Sequence, residues 1–195
     1  MWNQIYSYIR FALCYTKDNL CNTPLTERRC IMEKDHIFTS TRLTFRGINE
    51  TDTKLLVKWR SDETVIRYFR NPVPVTEAGH TKWYRESYSS NPNRYDFIIF
   101  EKKFGQAIGT VGVNDLNRES ESCEISYMIA ESAFQRKGYA VEAIGAMMDF
   151  MLTEDIRHFF AEIHSDNLAS IRTIKKLGYE AYTQRPPFLI YHKVY

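Results

Sequence analysis

The chain has 195 residues, 44% hydrophobic and 26% charged, and its 26 basic and 24 acidic side chains leave a formal net charge of +2. That size and composition fit one globular domain with a tail and enough apolar material for a core. The near-neutral balance supplies no field for general nucleic-acid binding, and no apolar run approaches the ~18 residues that span a bilayer.

The start, "MWNQIYSYIRFALCYTKDNL", is aromatic-rich, but Arg10 interrupts its only apolar run and no small-residue cleavage site follows. That argues against a secretory signal and leaves a membrane-surface or partner-binding helix as the alternative. Cys14, Cys21, Cys30 and Cys123 form no CxxC pair, and the five histidines show no metal-ligand spacing. Free thiols in a reducing, cytoplasmic setting and no metal are expected. Residues 1–31 are set apart as an N-terminal extension, either an appendage or a real extra helix, ahead of a domain over 32–195.

From Thr41 the elements follow in order. "TRLTFRG" alternates Leu43 and Phe45 on one face and predicts a strand. "ETDTKLLVKWRSDETVIRYF" places Leu55, Leu56 and Trp59, then Val65, Ile66 and Phe69, at helical spacing, as one broken helix or two short ones. "NPVPV" is a loop, because Pro72 and Pro74 stop both helix and ladder. Thr76 can cap the next helix, whose apolar stripe holds Trp83, Tyr84 and Ser87 at most. "NPNRYDFIIFEKKFGQAIGTVGVNDL" predicts a hairpin turning near Lys103–Gly105, and "SCEISYMIA" a further strand. A helix then runs to about Leu152, followed by the strand "RHFFAEIHS" and the helix "NLASIRTIKKLG", which Gly178 ends. "YEAYT" and "PPFLIYHKVY" complete the chain as short strands. Two strands joined by one helix should be parallel and the hairpins antiparallel, so the expected fold is a mixed sheet with helices on both faces.

Between the strand at 122–130 and the long helix lies "QRKGYA". The first amides of a helix lack internal partners and its dipole favours negative charge there. Gly138 lets the backbone approach a bulky anion, and Arg136 and Lys137 add charge at the edge. The stretch suits a pyrophosphate, although it is neither a P-loop nor a dinucleotide fingerprint. A plain basic turn is the other reading of the same residues.

Gln135-Arg136-Lys137-Gly138-Tyr139-Ala140 also resembles the acyl-CoA signature Q/R-x-x-G-x-G/A of the GNAT N-acetyltransferases. "CEISYMIAESAFQRKGYAVEAI" and "HSDNLASIRTIKKLGYE" are similar to two motifs of their ribosomal-protein-acetyltransferase-like branch, and the resemblance covers roughly residues 40–195. It implies an α/β fold with a mostly antiparallel central sheet of about seven strands, splayed between the strands at 122–130 and 157–163 to admit acetyl-CoA. By that resemblance backbone groups of Met128, Ile129 and Ala130 pair with the pantetheine arm, amides from Arg136 to Ala140 hold the pyrophosphate, Asn167 contacts the pantetheine and Ser170 sits near the sulfur. A homodimer stays open.

An amine nucleophile arrives mostly as ammonium and must lose a proton before attacking a thioester. Strand alternation puts Glu124, Ser126 and Met128 on one face and Cys123, Ile125, Tyr127 and Ile129 on the other. In this branch a glutamate at this strand position is often the base, so Glu124 is the expected one; a surface glutamate or a structural ion pair is the rival reading. The tyrosine that many members carry seven residues after the motif asparagine is Ile174 here, which leaves Ser170, water or a tyrosine from elsewhere to meet the leaving thiolate. Cys123, opposite Glu124 in parity and without a neighbouring cation, reads as a structural thiol.

The segment between the first two strands should cover the acceptor. Trp59 and Arg60, then Glu77, His80 and Trp83, resemble a subset of the family that acetylates nucleotide-linked amino sugars. Indoles stack on rings and Arg60 can grip a phosphate, but Trp59 and Trp83 taken singly also fit core positions. Protein N-terminal amines and polyamines remain as acceptors, the latter supported by "SDE" at 61–63 and "ESES" at 119–122, and a non-catalytic acyl-CoA-binding module remains as a different class.

Overall fold

Alternating side chains sort the sheet into two buried faces. The structure, a computed structural model, describes residues 33–195, and the extension expected over 1–31 lies outside the described residues. The strands are β1 (Ile37–Thr39), β2 (Leu43–Gly47), β3 (Tyr95–Glu101), β4 (Gln106–Asn117), β5 (Ser122–Ile129), β6 (His158–His164), β7 (Glu180–Arg185) and β8 (Phe188–Val194). They form one sheet in the order β1-β2-β3-β4-β5-β6-β8-β7. Every neighbouring pair is antiparallel except β5 and β6. The strand beyond the expected seven is β1, a three-residue edge piece too short to show period-2 alternation.

The helices are α1 (Thr53–Arg60), α2 (Glu63–Ile66), α3 (Glu77–Trp83), α4 (Tyr139–Thr153) and α5 (Leu168–Lys176). The broken-helix pattern thus resolves as two short helices, because Asp62, in extended conformation, caps α2 through its side chain to Thr64 N. Thr76 caps α3 at Gly79 N (3.1 Å) as expected. The chain then widens into a π-helical turn over Tyr84–Tyr88. That turn changes the phase, so Tyr88 is buried where the expected stripe had Ser87.

One core joins alternate side chains of β2 to β6 (Phe45, Phe97, Val111, Ile125, Phe159) to the buried stripe of α4, including Ile144, Met147 and Met151. The other face packs Ile48, Leu56, Trp59, Tyr88 and Ile98, with Met128 and Ala130 beside them. Cys123 and Ile125 fall in the first core and Met128 in the second, which is the parity read from the sequence. Gly178 takes φ +80° after α5, and Tyr179 N reaches back to Ile174 O (3.2 Å).

The parallel pair decides what the fold can hold. β5 and β6 meet only at Ser122↔His158, Cys123↔Phe159 and Glu124↔Phe160. Past Glu124, β5 stays paired with β4 and β6 with β8, so the two strands diverge into a split. Among the described residues no helix is long and apolar enough to cross a membrane.

Close approach of β4 to β5 supports one edge of that split. A methyl group at Gly109 would run into the Met128 carbonyl oxygen, a backbone atom that cannot rotate away. Gly109→Ala is expected to lower unfolding stability by about 1–3 kcal/mol, measured by urea denaturation.

Candidate active site

An open cleft of about 1210 Å³ runs into the split from the side of α1 and α3. At the other end, α4 begins just beyond a bend in which both Arg136 (φ +60°) and Gly138 (φ +82°) are left-handed. The first helical bond runs from Glu142 N to Gly138 O (3.1 Å), so the amides of residues 139–141 precede it and lack helical partners. A Cβ at Gly138 would meet Arg42 Nη2 at 3.5 Å, ordinary contact, so the left-handed backbone is what requires glycine. These free amides, set on a pinned bend, fit a pyrophosphate.

Sequence reasoning missed the brace behind this bend. Arg42, just before β2, donates through Nη1 to Lys137 O (3.0 Å) and through Nε to Glu142 Oε2 (2.6 Å). Its backbone N–H (2.6 Å) and the Ser40 hydroxyl (2.7 Å) both donate to Glu142 Oε1. Burial pushes the Glu142 carboxyl up, but these donors and the Arg42 charge outweigh it and hold it below the usual carboxylate range. The Arg42 guanidinium also lies over the Tyr139 ring at 4.3 Å. No spacing pattern ties an arginine just before β2 to a carboxylate 100 residues later. On the opposite flank Gln135 Nε2 donates to Ile129 O (2.9 Å), closing the loop onto the end of β5.

Glu124 lies where the parallel pairing ends, its side chain 22% exposed. Arg70, from the loop after α2, donates through Nη2 to Glu124 Oε2 (2.9 Å) and through Nε to Glu162 Oε1. Glu162 is on β6 two residues beyond the last β5–β6 pair, on the same face as Glu124. Burial pushes the Glu124 carboxyl up, Arg70 pulls it down, and Glu162 and Asp115 push it up again, leaving it above its ordinary value. A raised carboxyl group at the wall of a cleft suits proton transfer. Glu162 could have been found by the same parity argument as Glu124, since both alternate onto one face of neighbouring strands; Arg70 carries no such signal.

Across the split, Asn167 caps α5 by accepting from Ser170 N (3.1 Å), and both residues line the cleft. The Tyr127 hydroxyl, on β5, donates to Ser170 O at 3.2 Å. Ile174 is fully buried, and burial pushes the Cys123 thiol up to about 12, with Glu124 adding to it, so this cysteine stays a protonated core residue.

The residues expected at the acceptor separate into two groups. Trp59 is buried and gives its indole N–H to Glu131 Oε1 (2.8 Å); it packs in the second core and does not line the cleft. Arg60, His80 and Trp83 do line it. The Arg60 guanidinium stacks at 4.6 Å on Phe69 and has no hydrogen-bond or ion-pair partner among the described residues. The nearby carboxylate, Asp96, already accepts from Arg94 Nε (2.7 Å). The Thr53 hydroxyl gives its one hydrogen to Glu50 O (2.8 Å), so at 3.1 Å it accepts from His80 Nδ1–H. That assigns the tautomer with a bare Nε2 acceptor. Burial and the Arg60 charge push the His80 pKa down, which keeps the ring neutral. Among the described residues no group of three or more His, Cys, Asp or Glu is placed to bind a metal.

Two outcomes follow from this geometry. If the backbone amides hold the pyrophosphate, replacing Gly138 with valine should weaken CoA binding more than Lys137→Ala does; calorimetric titration measures both, and equal losses would count against the amide seat. Arg70→Ala removes the group that pulls Glu124 down, so if Glu124 is the base the acid limb of kcat/KM against pH should move to higher pH; a limb that stays put would count against that link.

The comparisons with known proteins agree with this geometry. The family model described as an acetyltransferase (GNAT) domain matches residues 42–180. An uncharacterized N-acetyltransferase of Bacillus licheniformis, p20, is 27% identical over 145 residues, covering 71% of this chain and 79% of its own. A domain of Methanocaldococcus jannaschii aligns with a TM-score of 0.71 at 23% identity, over 80% of this chain and all (100%) of that one. The spermidine N-acetyltransferase of Vibrio cholerae in complex with CoA and spermine aligns with a TM-score of 0.70 at 16% identity, over 80% and 96% of the two chains. With the split sheet and the bend at Gly138, the match over residues 42–180 shows that the chain belongs to the GNAT family and is an acyltransferase.

Proposed function

We propose that the chain moves an acetyl group from acetyl-CoA to a primary amine by direct attack, with Glu124 as the base. The observation that carries this reading is the half-buried Glu124, its carboxyl raised, at the point where β5 and β6 part. The co-substrate supplies an acetyl group activated as a thioester. The amides of residues 136–140 would bind its pyrophosphate, the diverging edge at Met128, Ile129 and Ala130 its pantetheine arm, and Asn167 and Ser170 would flank that arm from α5. Glu124, directly or through water, takes the proton that the ammonium must lose. The free, buried Cys123 agrees with a cytoplasmic setting.

For the acceptor we favour an amino sugar linked to a nucleotide. Three groups in the cleft support it: a guanidinium with no carboxylate partner at Arg60, a bare ring nitrogen at His80 and the indole of Trp83. A phosphate satisfies the first, a sugar hydroxyl the second and a ring face the third. Arg60 and Arg94, close enough to depress the Arg60 pKa after burial has done so, oppose a polycation there. Glu124, Glu162 and Asp115 support the second reading, a polyamine, as does the relative solved with spermine.

An acceptor screen with nucleotide amino sugars, polyamines and short peptides decides between them. A nucleotide amino sugar is expected to exceed spermidine in kcat/KM by at least about tenfold, with Arg60→Ala removing most of that preference; a spermidine preference or peptide turnover would reverse the assignment. Glu124→Gln should lower kcat about 100-fold and flatten the acid limb while leaving acetyl-CoA binding intact. Unchanged turnover and pH profile would remove Glu124 from the base role.

A further inference from the structure

Expelling CoA places a negative charge on sulfur, and a cleft walled by protein must supply donors for it. The helix position at which many family members carry a tyrosine is a fully buried isoleucine, Ile174. Tyr127 and Ser170 bring side-chain hydroxyls to the wall of the split at this level. Resting on the acetyl-transfer reading above, we propose that Tyr127 is the hydrogen-bond donor that stabilises the departing thiolate of CoA.

The placement carries the proposal. Tyr127 lies on β5 beyond its last pair with β6, and Ser170 lies in the first turn of the helix that follows β6. The phenol therefore spans the split. Tyr127, Ser170 and Glu124 line one cleft, so a thioester reaching an amine at Glu124 would meet the phenol once its bond to Ser170 O is released. Tyr127 and Glu124 are three residues apart on one strand, about 10 Å along it, with side chains on opposite faces. Both nevertheless line the same cleft, one offering a carboxyl and the other a phenol.

The hydroxyl is free to turn. Its bond to Ser170 O is 3.2 Å, longer than the ~2.7–2.8 Å usual for O–H···O. That carbonyl lies within α5, where the helical ladder offers it a backbone partner four residues on, so releasing the phenol leaves no orphaned acceptor.

The chemistry balances without a transfer from tyrosine. The ammonium loses one proton to Glu124 before it attacks, the nitrogen loses a second to water as the tetrahedral intermediate collapses, and the carbon–sulfur electron pair goes to sulfur. Burial pushes the Tyr127 hydroxyl up to about 12, far above the ~8.5 of a free thiol, so the phenol keeps its proton and donates a hydrogen bond. The thiolate takes a proton from solvent on release.

The test reads the thiol itself. The pKa of CoA bound to the full chain is measured from the ultraviolet absorbance of the thiolate, for the wild type and for Tyr127→Phe. The phenylalanine variant should raise the bound-thiol pKa by about one unit or more. It should also lower kcat about tenfold while changing the acetyl-CoA KM less than about twofold. An identical bound-thiol pKa in both proteins, or a loss confined to KM and melting temperature, would make Tyr127 a structural residue. If Tyr127→Phe does not fold, 3-fluorotyrosine at position 127 keeps the hydroxyl and strengthens it as a donor; a bound-thiol pKa that fails to fall then overturns the proposal. A wild-type chain that binds no CoA removes the parent reading as well. One that binds CoA with an unperturbed thiol removes this proposal alone.

Discussion

The β5–β6 ladder stops after three pairs, and the functional geometry depends on that stop. A fully zipped parallel pair would bury the edges of both strands and leave no room between them. Because it ends at Glu124, the backbone groups beyond it on β5 and β6 face a gap, and buried backbone donors and acceptors need partners. Gln135 satisfies one, the Ile129 carbonyl. The others present an extended, strand-like edge, which suits the amide-bearing pantetheine arm. The stop also sets where the candidate base lies, since Glu124 is the last paired residue.

Charge is distributed around this gap by burial as much as by number. The chain is nearly neutral, yet the cleft holds an arginine shared by two carboxylates at one point and an arginine with no carboxylate at another. The first arrangement is self-satisfied: Arg70 holds Glu124 and Glu162 until something displaces it. The second is unsatisfied, so a ligand anion gains a charge-assisted bond there without breaking an existing ion pair. The two arginines thus differ in what they offer a ligand; the sequence marks Arg60 as a candidate phosphate grip, whereas Arg70 carries no signal there.

Much of this is legible in the sequence for a physical reason: local periodicity survives there, whereas contacts between distant elements do not. The alternation over residues 122–130 puts Glu124 opposite Cys123, and the core that α4 forms with the sheet takes in Cys123 and Ile125 as that parity requires. The glycine in "QRKGYA" marks a left-handed bend. By contrast, Arg42, Tyr127 and Arg70 act through partners 100, 43 and 54 residues away. Trp59 shows the limit from the other side. Its type suggests ring stacking with a ligand, but helix phase turns it into the second core, while Arg60, one residue on, reaches the cleft.

That turned-in tryptophan has a thermodynamic consequence. Trp59 Nε1 and Lys58 Nζ both donate to Glu131, two residues past the end of β5 and ahead of the bend at Gly138. Helix α1 therefore grips the approach to the phosphate seat with two side chains and presents Arg60 to the cleft with the next. Were α1 to move with a ligand in the cleft, these two bonds would carry the movement to residue 131, and a ligand at the bend would act on α1 by the same route. Linkage makes such coupling reciprocal: whatever factor one ligand adds to the affinity of the other, it receives in return. One glutamate thus ties the helix that carries Arg60 to the stretch that leads into the bend at Gly138.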